Sequence, residues 1–86
     1  MPKDEPLDAD MTPTCKRMWK VLRSARPVHI DRLVVLIPSF DPAWPARQRQ
    51  QRLGHYISKI NVKLRRHRFV VLPGTPRRTY QLRPAT

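Results

Sequence analysis

Leu53, Ile57, Ile60 and Leu64 recur at steps of four, three and four, a spacing that draws one apolar stripe down a helix. The pattern predicts a helix over about Ala46 to Arg65, the longest element of the chain. Tyr56 flanks the stripe. The opposite face carries Arg47, Gln51, His55, Ser58 and Val62, bordered by Arg52, Lys59, Asn61 and Arg66. Gly54 costs this helix about 1 kcal/mol relative to alanine, a cost expected where another helix or a phosphate backbone comes close. Beyond the helix the period changes. Phe69 to Leu72 is a β-prone run, Pro73-Gly74-Thr75-Pro76 marks a turn, and Thr79 to Leu82 forms a second strand with Tyr80 and Leu82 on one face. Arg77 and Arg78 fall at or just beyond the turn tip.

Two shorter helices are expected upstream. Thr12 suits an N-cap and Pro13 the first helical position, and Cys15, Met18, Trp19 and Leu22 give an apolar stripe over about residues 13 to 25. Pro27 stops this helix, because the residue before a proline is pushed out of the helical region. Ile30, Leu33, Val34 and Ile37 repeat at helical spacing, with Asp31 in the first turn and Pro38 as the stop. The run Leu33 to Ile37 would also suit a buried strand. Helix is expected, since the preceding connection is too short to return a parallel strand. The loop from Pro38 to Pro45 holds Phe40 and Trp44, expected to pin it over the core; docking of a partner protein is their alternative use. Both short helices need a surface for their stripes, and the third helix supplies one.

Charge narrows the function. Eleven lysines and arginines and no acidic residue lie between Arg47 and Arg83, in a chain of net charge +12. A long field of one sign repels itself and is usually carried toward an anionic partner, nucleic acid first. Four of the six acidic residues stand in Met1 to Asp10, expected to be a disordered leader ahead of one folded domain over 11–83 and a flexible tail over 84–86. Eighty-six residues allow a single domain with a small core. Cys15 has no second cysteine to pair with. No apolar run is long enough to span a bilayer, and the opening lacks the apolar centre of a signal peptide, so a soluble cytoplasmic protein is expected. His29, His55 and His67 are scattered, Ser39 and Ser58 lack a nucleophile's partners, and Gly54 and Gly74 stand alone. Catalysis, a metal centre and a cofactor are therefore not expected.

Several segments resemble a known pattern. Met11-Thr12-Pro13-Thr14 with Met18 and Leu22 is similar to the opening of the OmpR/PhoB-type winged-helix DNA-binding domains of bacterial regulators. Val28 followed by Leu33 resembles that family's entry into its second helix. Tyr56-Ile57-Ser58-Lys59-Ile60-Asn61-Val62-Lys63-Leu64 resembles its recognition-helix signature, and Thr79-Tyr80-Gln81-Leu82 the strand that closes its wing. Tyr56 and Asn61 stand where the family carries histidine and arginine, and neither a receiver domain nor the family's N-terminal sheet is expected from Met1 to Asp10, as in a stand-alone regulator or a fragment of a longer one. The resemblance implies an α+β fold, a three-helix winged helix-turn-helix with a C-terminal β-hairpin wing. It further implies a recognition helix in the major groove, and a contact with RNA polymerase through the 38–45 loop.

The residues can then be given expected roles. Gln51, His55, Ser58, Lys59 and Asn61 are candidates for base readout, where glutamine or asparagine suits adenine and lysine suits guanine. Arg47, Arg49, Arg52, Arg65, Arg66 and Arg68 are candidates for phosphate, which fixes register without reading sequence. Arg77 and Arg78 are candidates for a narrow minor groove. The expected partner is double-stranded DNA, with two copies on a repeated or palindromic site, and the expected role is transcriptional regulation, viral or mobile-element origin included. The alternatives are a winged-helix module that engages a protein, favoured by exposure of Phe40, Trp44 and Val62, and a basic RNA-associated protein.

Overall fold

The computed structural model describes residues 11–74 and 77–85; the acidic leader at 1–10, together with Thr75, Pro76 and Thr86, lies outside the described residues. Thr12 caps the first helix, α1 (Pro13–Leu22), through its Oγ1, which accepts from the Cys15 N–H at 3.4 Å. The helix ends with its stripe at Leu22, a turn short of the end near residue 25 that Pro27 suggests. Arg23 is its C-cap, and Ala25 takes a positive φ of 64°. The Ala25 carbonyl accepts from Gln81 Nε2 at 2.9 Å, so the far end of the chain holds this connection.

Val28–His29 then forms a two-residue strand, β1, followed directly by α2 (Ile30–Val34). His29 caps α2 through Nδ1, which accepts from the Asp31 N–H at 3.1 Å. Past Val34 the chain tightens into turns, with Leu36 and Ile37 N–H groups bonding carbonyls three residues back at 3.0 Å. Ile37 stays buried although the regular helix has ended. Helix, not strand, is thus the outcome for Leu33 and Val34.

The long helix, α3, spans Ala46–Leu64 and runs into a 3-10 turn at Arg65–His67. Its stripe is realised in full, since Leu53, Ile57, Ile60 and Leu64 are all buried. Strands β2 (Phe69–Pro73) and β3 (Thr79–Pro84) complete a three-stranded antiparallel sheet in the order β1-β3-β2. Val28 pairs with Tyr80, and Val71 with Leu82. β3 runs one residue past Arg83, and the Ala85 N–H bonds the Arg68 carbonyl at 2.8 Å, so residues assigned to a tail belong to the sheet margin.

Helices cover one sheet face. Met18, Trp19, Leu22, Leu33, Val34, Leu53, Ile60 and Leu64 are fully buried, and Val28, Val71 and Leu82 close the core from the sheet side. Gly74 serves the hairpin by its size: a Cβ there would lie 3.0 Å from Thr79 Oγ1, while the Gly74 N–H bonds the Thr79 carbonyl at 2.9 Å. Gly54 is different. A Cβ there would meet nothing within 4 Å, so close helix packing does not account for it. Gly54→Ala is expected to stabilise the fold by about 0.5–1 kcal/mol, raising the melting temperature by a few degrees in a thermal scan. No helix among the described residues is long and apolar enough to cross a membrane.

Candidate nucleic-acid interface

Burial of the Leu53–Leu64 stripe fixes which way α3 presents its other side. Arg47, Gln51, Arg52, His55, Ser58, Lys59 and Val62 are exposed along it, as their spacing requires. A helix of 19 residues is about 28 Å long, enough to cross a major groove with both ends over phosphate backbone. Tyr56, half-buried at the edge, organises its neighbours: His55 meets the ring edge-on at 5.8 Å and the Lys59 ammonium lies 5.7 Å from its centre.

The N-terminal end of α3 forms a shallow hollow lined by Pro45, Arg47, Gln48, Gln51 and Arg52. Pro45 is the N-cap and contributes no side-chain hydrogen bond, and the first turn has no acidic residue. The positive end of the helix dipole therefore adds to the arginine field instead of being neutralised. Gln48 was not among the sequence candidates. Its place three and four residues before Gln51 and Arg52 was the available signal.

At the other end stand Arg65, Arg66 and Arg68, all exposed. Arg68 caps the 3-10 turn in the left-handed region, φ 58° and ψ 40°, and Arg78 ahead of β3 has φ 61°. Glycine fits such positions better than any other residue, so both sites hold a charged side chain against a backbone cost. The Arg78 carbonyl also accepts from the Ile30 N–H at 2.8 Å, which ties the base of the β2–β3 hairpin to the start of α2.

Two candidates have other work. The Asn61 amide faces the sheet: Nδ2 donates to the Val71 carbonyl at 3.0 Å, and Oδ1 accepts from the Val71 N–H at 2.7 Å. This double bond pattern closes the outer edge of β2, and it removes Asn61 from the set free to read bases. Arg49 is similarly engaged. Its Nε donates to the Trp44 carbonyl at 3.0 Å, Nη2 to the Pro42 carbonyl at 2.8 Å and Nη1 to Asp31 Oδ1 at 3.3 Å. The guanidinium also lies 5.4 Å from the centre of the Phe40 ring, so Arg49 is engaged in holding the 38–45 loop.

Phe40 and Trp44 meet edge-to-face at 5.7 Å and are half-buried against the core, with Arg52 placed 5.5 Å from the Trp44 ring centre. Their bodies pin the loop, the expected structural role. Of the three apolar residues that would favour a protein-docking surface, only Val62 is open. Burial raises the Tyr80 phenol above its ordinary pKa, so it stays neutral and adds no charge to the sheet. No cluster of three or more potential metal ligands occurs among the described residues. Comparisons with protein-family models, curated proteins and solved structures find no match to this chain.

Proposed function

We propose that the chain is a winged helix-turn-helix protein that binds double-stranded DNA and regulates transcription. The observation that carries the reading is the outward face of α3, where Gln51, His55, Ser58 and Lys59 lie exposed between arginines at both ends. Three helices and a small antiparallel sheet ending in a hairpin are compatible with that plan. Helix α3 enters the major groove. Gln51 and Lys59 are the side chains best suited to adenine and guanine edges, with His55 and Ser58 between them. Arg47 and Arg52 hold phosphates near one end, and Arg65, Arg66 and Arg68 near the other. Arg77 and Arg78 approach the minor groove from the wing.

Both acidic residues in the described part are engaged away from this face. Asp31 bonds Arg49, and Asp41 Oδ1 accepts from the Ala43 N–H at 2.8 Å. Duplex DNA titrated into isotopically labelled protein is expected to shift the amide resonances of Arg47, Gln51, His55, Ser58, Lys59 and Arg78, leaving Val35 and its neighbours quiet. Shifts that avoid α3 would refute the assignment.

A further inference from the structure

Val62 is 60 % exposed, more than either of the other open large apolar side chains, Val35 and Leu72. A lone exposed valine is ordinary on a protein surface. This one stands on the outward face of α3, three and four residues beyond Lys59 and Ser58, on a face otherwise made of hydrogen-bonding and cationic groups. It borders a shallow groove whose floor includes the buried Met11 and Cys15 and whose rim carries Lys59 and Lys63. Val35 and Leu72 are not part of that groove. A single valine between two ammonium groups is a small apolar contact set in a field suited to a polyanion.

The major groove presents one apolar group, the C5-methyl of thymine. Building on the DNA reading above, we propose that Val62 is a specificity-determining contact that packs on a thymine methyl, with Lys59 and Lys63 placed for the phosphates or guanine acceptors beside that thymine. The contact needs no donor or acceptor, so it reads the methyl of that base and not its hydrogen-bonding edge. Burial of one methyl-sized group is worth about a fourfold change in affinity.

Uracil differs from thymine only by that methyl, which makes the test direct. Affinity is measured for duplexes in which thymines of a bound site are replaced by uracil one at a time, with the wild-type chain, Val62→Ala and Val62→Thr. One or two positions should cost the wild type about fourfold and cost Val62→Ala nothing further, while Val62→Thr, which keeps one methyl, falls between. Matching urea midpoints for the three proteins establish that the exposed substitution leaves the fold intact. Uracil that is neutral at every position overturns the Val62 contact, as does a uracil cost undiminished in Val62→Ala. Either result leaves duplex recognition by α3 standing, whereas failure to bind any duplex overturns both.

Discussion

Asn61→Ala is expected to lower the free energy of unfolding by about 2–4 kcal/mol, because it strands both backbone groups of Val71. In an antiparallel pair a residue's N–H and C=O point to the same side, and those of Val71 point away from β3. β2 is an edge of the sheet, so no further strand among the described residues takes them up. The Asn61 amide offers one donor and one acceptor in the arrangement of a peptide group, and it stands in for the missing strand. Val71 is 2 % exposed, which restricts the access of water once the amide is removed. Each unpaired buried group costs about 1–3 kcal/mol, and partial hydration at the edge brings the sum below the maximum. Asn61→Asp keeps the acceptor for the Val71 N–H but sets a carboxylate against the Val71 carbonyl, so it should not restore stability. Urea unfolding measures the effect, and the alanine variant should also self-associate more readily, since an uncovered edge is a template for another strand. Unchanged unfolding midpoints would show that the amide is dispensable to the fold.

The second large effect follows from the proposed binding of duplex DNA. With Arg49 withdrawn into the loop, five arginines of the phosphate set remain, Arg47, Arg52, Arg65, Arg66 and Arg68, and all are exposed. Each phosphate neutralised contributes a slope of about −0.9 to the log–log dependence of affinity on salt. Five contacts give about −4.5, and a contribution from the hairpin arginines brings the slope near −5, a loss of roughly a thousandfold between 50 and 200 mM salt. Arg66→Ala should flatten the slope by about one unit and weaken all duplexes alike. Arg49→Ala should leave the slope unchanged while loosening the Phe40–Trp44 loop, which separates the two kinds of arginine. Fluorescence anisotropy across a salt series decides the matter. A slope near −1, or an Arg49→Ala effect as large as that of Arg66→Ala, would contradict this division.

Much of the architecture was legible because it is written in periodicity. The buried stripe of α3 and the apolar positions of α1 each repeat often enough to define a face, and Thr12-Pro13 marks a helix start by local chemistry alone. β1 was not legible. Two residues cannot display a period, and Val28 and His29 become a strand only because β3 arrives beside them from fifty residues away. The end of α1 was misjudged for a similar reason, since Gln81 holds the Ala25 carbonyl across the fold. At the site, helical spacing identified the outward face correctly as exposed. It did not reveal that Asn61, on the flank of that face, would turn to the sheet, or that Arg49 would fold back on its own loop. Asparagine and arginine suit backbone groups as well as bases and phosphates, and only the neighbouring chain decides between them.

Binding selection from a pool of random duplex DNA tests the central claim most directly, carried out in parallel with wild-type protein and with Gln51→Ala. Recognition by the outward face of α3 predicts an enriched motif for the wild type and a relaxed preference at one position of it for Gln51→Ala. A pool that emerges without any motif, or one whose motif is identical for both proteins and for variants at His55, Ser58 and Lys59, would contradict it.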